Sequence, residues 1–375
     1  MTGHPKNLRR VERQRETVAV RKALLALLLF ALALPVQGQA VESRDDDTLV
    51  LAFTGDVLAH LNVNASARRN GSPYDFRPLF EPVRDLISGA DFAICHLEVP
   101  LSPTSSNISS FPRFNGPREL ADGLAYAGFD ACSTASNHTI DQGIDGALGT
   151  RQVLEDAGLS QAGIRRSPLE VWEETSYDVR GARVVHISAT YWYNGIRPPR
   201  GMDWISSVID VDDILVRARR AKLYGADLVV ASMHCCVEYR TMPTPRQTED
   251  YRRLIASPHI DLVVGHHAHV VSPVEKVGDK FVLYGLGNFL SGQRFDPQTQ
   301  DGVIAMVTAR RRDGLWAFDR VEVIPTQVGG GSVISPVPEG TASWQRTMSA
   351  INAMDAGIAP FPGHVRRGVR FDLFD

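Results

Sequence analysis

Cysteine is scarce in this chain: four in 375 residues, at positions 95, 132, 235 and 236. That number and spacing exclude a disulfide scaffold and a zinc knuckle. Cys95 and Cys132 each lie in a short apolar run that reads as a strand, so they could pair in an oxidising compartment, but as buried small apolar residues they need no partner. Long apolar runs are equally rare. The one at residues 23–34 falls well short of the ~20 residues a spanning helix needs, and no second run follows, which excludes a helical channel or transporter. Net positive charge is missing too. No internal repeat is visible.

The apolar run has a basic stretch ahead of it, ending in Arg21-Lys22, and Pro35 and Gly38-Gln39-Ala40 behind it. That is the layout of a secretory signal, with cleavage expected after Ala40 and an uncleaved anchor as the alternative. Removing residues 1–40 takes seven Lys/Arg and two Asp/Glu from totals of 40 and 43, leaving 33 basic against 41 acidic residues, a formal charge of −8. So acidic an export product is a poor nucleic-acid binder.

From Thr48 onward, short apolar runs alternate with amphipathic segments, the pattern of βα units in a mostly parallel sheet. Strands are expected at 49–54, 92–95, 131–133, 184–188, 228–232 and 262–264. Helices are expected at 79–88, 119–127, 146–157, 211–224 and 246–256, the first four ended by Gly89, Gly128, Gly158 and Gly225 as left-handed stops. The pattern then changes to antiparallel hairpins around Gly278-Asp279 and Arg312-Asp313-Gly314, so the sheet is mixed. Residues 41–325 read as the principal domain. Residues 326–375 read as an extension with a flexible break at Gly329-Gly330-Gly331-Ser332 and a short helix from Ala342.

Ligand-type residues follow one strand after another: Gly55-Asp56, His96-Leu97-Glu98, Ser136-Asn137-His138, Met233-His234 and Gly265-His266-His267-Ala268-His269. In open α/β sheets ligands bind outside the carboxyl ends of the strands, so these residues should converge on one rim. Carboxylate, carboxamide and neutral imidazole together suit a divalent ion of hard to borderline character. Two such ions sharing a carboxylate would acidify a water between them and clamp an attacked phosphoryl group, and phosphoester hydrolysis is the natural reaction.

Thr54-Gly55-Asp56, Leu97-Glu98-Val99-Pro100, Ala135-Ser136-Asn137-His138 with Asp141 and Gly143, His234 with Glu238-Tyr239, Gly265-His266-His267-Ala268-His269-Val270 and Tyr284-Gly285-Leu286-Gly287-Asn288-Phe289 together resemble the CapA-type capsule-synthesis (poly-γ-glutamate) family. That family resembles the calcineurin-like metallophosphoesterases, which implies a four-layer α/β sandwich: two mixed β-sheets flanked by helices. The resemblance implies that Asp56 and His269 hold one metal (Mn, Fe or Zn), that Asn137, His234 and His267 hold another, and that Glu98 bridges. His138 would be proton donor or charge stabiliser, with Asp141 orienting it or capping the following helix. Glu238 and Asn288 are candidate substrate contacts; Arg240 and Arg294 are weaker candidates.

This chain departs from the family pattern at several positions. Leu58 stands where the wider superfamily has a ligand histidine, a place His60 could reach; Glu98 stands for an aspartate, His96 for an asparagine, Cys235-Cys236 for Trp-Gly and Ala268 for a proline. The expectation is therefore an exported protein with a phosphoesterase-like hydrolase site for a phosphoester or anionic polymer. The alternative is a non-catalytic accessory subunit of a membrane-bound poly-γ-glutamate synthase.

Overall fold

Alternation with a period of two sets the first strand: Leu49, Leu51 and Phe53 point to one side and Val50 and Ala52 to the other. Both faces are apolar, so the strand is buried on both. The computed structural model describes residues 47–70 and 73–362, with backbone at 364–365 and 369–370. The expected export signal at 1–40 lies outside the described residues.

The chain begins with β1 (Thr48–Val57), α1 (Leu61–Asn70), β2 (Phe92–Leu97), α2 (Glu119–Ala127), β3 (Ala131–Ser133), α3 (Gly143–Asp156) and β4 (Ser160–Ala162). These four strands run parallel in the order β1-β2-β3-β4. A second sheet follows from β5 (Thr175–Val179), β6 (Ala182–Thr190), α4 (Val211–Leu223), β7 (Leu228–His234), α5 (Pro245–Ala256), β8 (Leu262–His266), β9 (Val274–Val277) and β10 (Lys280–Leu283). Its order is β9-β10-β8-β7-β6-β5, with antiparallel strands at both edges. The chain then returns to the first sheet with β11 (Asn288–Leu290), β12 (Asp301–Arg312), β13 (Leu315–Val328) and β14 (Ile334–Pro336), ahead of α6 (Ala342–Ile351). There β11 lies parallel to β1 and β12 antiparallel to it.

The two sheets face each other across one apolar core that includes Leu51 and Phe53 of β1, Val303, Ala305 and Val307 of β12, and Val184, Val230 and Val264 of the second sheet. On the outer faces, Val50, Ala52, Ala93 and Cys95 pack under Leu120, Leu124 and Val153, while Val185, Val229 and Val263 pack under Ile214, Ala218, Tyr251 and Leu254. The result is the expected four layers, helices outside two mixed sheets.

Local departures have local causes. The helix expected over 79–88 is broken into Arg77–Phe80, a 3-10 turn Glu81–Val83 and Arg84–Ser88, because Pro82 has no N–H to donate. Gly89 ends it at φ −76, not in the left-handed region, whereas Gly128 does stop α2 at φ 97. The glycine-rich segment after Val328 is a turn in which Gly329 N donates to Val333 O at 2.8 Å, returning the chain as β14 beside β13. Arg346 of α6 pairs with Asp301 at 2.7 Å, so the stretch after 326 adds a strand and a helix to the first sheet. The cysteines are paired, Cys95 with Cys132 on neighbouring strands and Cys235 with Cys236. Among the described residues no helix is long and apolar enough to cross a membrane.

Candidate metal centre

Parallel pairing aligns the strand ends: Asp56 lies opposite His96, and His234 lies opposite both His266 and Thr190. The loops leaving these ends therefore meet on one rim, as the strand-end rule requires. Asp56, Glu98, Asn137, His138, His234, His267 and His269 are all buried there. His267 and His269 sit at φ 86 and φ 55, a conformation that costs non-glycine residues about 1–3 kcal/mol each and that clusters at functional sites.

Asp56 accepts from His267 N at 3.2 Å and lies 3.1 Å from His269 Nδ1 and 3.6 Å from His266 Nδ1. Burial alone would raise its carboxyl, but the imidazoles of His266 and His269 beside it outweigh burial and hold it well below the usual range. Glu98 differs: both its oxygens are buried without a hydrogen-bond partner. Burial pushes its carboxyl well above the usual range, against the pull of His269. His234 Nε2 is 2.9 Å from Asn137 Oδ1 and 4.0 Å from Glu98 Oε1. His269 Nε2 is 3.7 Å from the same Glu98 oxygen and 3.5 Å from Glu238 Oε1. Burial would lower the His269 imidazole, but Glu98 and Asp56 raise it well above its ordinary value. Burial and neighbouring histidines lower His234, and they bring His267 to about 4.

An uncompensated buried carboxylate costs several kcal/mol. A divalent cation among Glu98, His234, Asn137, His267 and His269 would offset that cost with donors suited to it. Donor atoms of Asp56, His96, Glu98 and His234, and separately those of Glu98, His267 and His269, lie within 4.8 Å of one another. The residues present thus fit one or two divalent ions.

The rim opens into a cavity of about 450 Å³ lined by His60, Arg113, Phe114, Asn137, His138, Asp141, Tyr191, Glu238, Tyr239, His267 and His269, among others. His138 Nδ1 lies 2.6 Å from Asp141 Oδ2, which also accepts from Phe114 N at 2.7 Å. Asp141 therefore orients His138 and does not cap α3, whose N-cap is Gln142 without a side-chain bond. Phe114 stands edge-on to both His138 and His60. Glu238 reaches the cavity; Asn288 does not. Its amide donates to His269 O, Gln293 and Thr299 O, and its Oδ1 lies 3.1 Å from His269 Nδ1, so it holds the His269 ring from behind.

Arg294 is committed to Gln300, Val328 O and Gly329 O, and Arg240 does not line the cavity. The cation at the mouth is Arg113, whose guanidinium has no ion-pair partner among the described residues and which no sequence signal singled out. Tyr191, with its hydroxyl 3.3 Å from His267 Nε2, follows β6 directly and obeys the strand-end rule that found the other residues. A second cavity of about 480 Å³ between the edges of the sheets contains none of these groups. Among its charged side chains, Arg217 pairs with Glu174 and Arg151 with Glu170.

The family model of the bacterial capsule synthesis protein PGA_cap matches residues 50–293. The capsule biosynthesis protein CapA of Bacillus anthracis is 27% identical over 325 residues, 84% of this chain and 77% of that protein. The PGA biosynthesis protein CapA of Bacillus subtilis is 22% identical over 315 residues, 83% of this chain and 80% of that one. A probable polyglutamine synthesis accessory protein of Mycobacterium tuberculosis is 29% identical over 168 residues, 42% of this chain and 44% of that one. Among solved structures, Haemophilus influenzae NAD nucleotidase has a TM-score of 0.44 at 11% identity, covering 82% of this chain and 63% of that one. A calcineurin-like phosphoesterase from Bacillus subtilis has a TM-score of 0.41 at 13% identity, covering 80% and 97%.

Proposed function

The chain belongs to the bacterial capsule synthesis PGA_cap family, and we propose that it is an exported metal-dependent hydrolase acting on a phosphoester or an anionic envelope polymer. The observation that carries the reading is the Glu98 carboxylate, buried with both oxygens unpartnered in the middle of a histidine cluster. On this reading Asp56 and His269 hold one ion, Asn137, His234 and His267 hold a second, and Glu98 serves both. Divalent ions supply Lewis acidity toward the attacked centre and lower the pKa of water.

The chain's own residues do the rest. His138, at the cavity and fixed through Nδ1 by Asp141, presents Nε2 to the leaving group and gives it a proton. Phe114 and His60 wall off one side of that imidazole and limit water. Arg113 meets the substrate's negative charge at the mouth, and Glu238 bears on the substrate side of His269.

A second reading is a non-catalytic accessory subunit working beside a membrane-bound polymer synthase. It is favoured by Leu58, an apolar side chain lining the cavity where a ligand histidine would complete the first ion's set. The deciding experiment is metal analysis of the purified chain together with hydrolysis of bis(p-nitrophenyl) phosphate with and without chelator. Stoichiometric metal with chelator-sensitive turnover supports the hydrolase; metal-free protein without turnover refutes it. Export predicts a mature N-terminus near Val41, and N-terminal sequencing of the product tests this.

A further inference from the structure

His234 is backed by a second buried histidine that the proposed site does not use. His96 Nε2 stands 2.9 Å from His234 Nδ1, and His96 Nδ1 stands 2.7 Å from Ser133 Oγ. Ser133 Oγ lies 3.5 Å from Cys95 O. The ring of His96 stacks on His266, centroids 4.0 Å apart and planes 13° from parallel, so it has little freedom to turn.

A neutral imidazole donates from one nitrogen and accepts at the other, so the protons along this row are linked. In one direction Ser133 donates to His96, His96 donates to His234, and His234 Nε2–H donates to Asn137 Oδ1, 2.9 Å away. That direction places a proton on the nitrogen nearest Glu98. In the other, His234 Nδ1–H donates to His96 Nε2, His96 Nδ1–H donates to Ser133, and the hydroxyl proton turns to Cys95 O. Only this second direction leaves the His234 Nε2 lone pair free.

We propose that His96, backed by Ser133, is a positioning residue that fixes the tautomer and ring plane of His234 so that Nε2 is presented to a divalent cation. The inference rests on the metal-site reading above. A different role would make His96 itself a ligand, since its ring falls in the donor cluster with Asp56, Glu98 and His234. Both its nitrogens are already engaged, Nε2 by His234 and Nδ1 by Ser133, which favours the backing role.

The test is Zn²⁺ binding to the purified chain, read by competition with a chromophoric chelator. His96→Leu should bind as many equivalents as wild type with roughly 10- to 100-fold weaker affinity, the usual effect of removing such a partner. His96→Gln, whose amide oxygen accepts the same bond, should recover most of the loss, whereas His234→Ala should lose an equivalent. Long-range ¹H–¹⁵N spectra of the Zn²⁺-loaded wild type should show His234 protonated at Nδ1 and His96 Nε2 free of metal, which decides the matter even if His96→Leu does not fold. Unchanged affinity in His96→Leu, loss of a whole equivalent in it, or zinc on His96 Nε2 would overturn this inference alone. A wild-type chain that binds no zinc would overturn the metal-site reading with it.

Discussion

Replacing Asp141 with asparagine tests the His138 dyad without reshaping it. Asp141 Oδ2 accepts from both His138 Nδ1 at 2.6 Å and Phe114 N at 2.7 Å, and both side chains of the dyad are buried, 7% and 1% exposed. An asparagine oxygen can keep the contact to Phe114 N, so the loop stays in place while the negative charge is lost. A hydrogen bond to a charged group is worth about 1.5–3 kcal/mol, which at 1.36 kcal/mol per decade corresponds to roughly one to two orders of magnitude in turnover. His138→Ala removes the proton donor itself and should cost about two to four orders. Because Asp141 acts through His138, the double variant should be no slower than His138→Ala. The assay is bis(p-nitrophenyl) phosphate hydrolysis with metal content measured on the same preparations. Wild-type turnover in Asp141→Asn with metal intact, or a double variant slowed by the product of the single effects, would refute the reasoning.

Arg113→Gln should raise KM for p-nitrophenyl phosphate roughly fivefold at low salt, and less at high salt, as for an exposed charge contact; kcat and metal content should hold, and an unchanged KM would remove Arg113 from the substrate. The Cys95–Cys132 disulfide closes a separation of 37 residues and should contribute about 4 kcal/mol by loop entropy, read from urea unfolding of oxidised and reduced protein. Burial holds the His186 imidazole at about 3, below its ordinary 6.5, so its contribution is present above 6.5 and is lost as pH falls toward 3. From pH 7 to pH 5 wild type should lose about 2 kcal/mol more stability than His186→Gln; equal losses in the two proteins would show that His186 does not titrate on unfolding.

Much of this protein was legible in the order of its residues. Alternation of short apolar runs with amphipathic segments marks β1, β2, β3, β6, β7 and β8, and the ligand-type residues come directly after those runs. Ends of parallel strands within one sheet share a rim, so periodicity groups Asp56, Glu98 and Asn137 at one edge and His234, His267 and His269 at another, and packing of the two sheets brings the edges together. The short strand β4 and the step from Gly287 into β11 carry no such signal, since they exist only because a neighbouring edge accepts their backbone. Asp141 could not be assigned between cap and orienting residue from spacing, because three residues of separation allow both; the turn through Ile140 decides it by bringing Oδ2 to 2.6 Å from His138. Asn288 behind His269, Arg113 at the mouth and His96 behind His234 are contacts between segments 19 to 138 residues apart or between a loop and a rim. Local sequence encodes which residues can serve such contacts, but side-chain distances of about 3 Å are set only when the two sheets close on their common core.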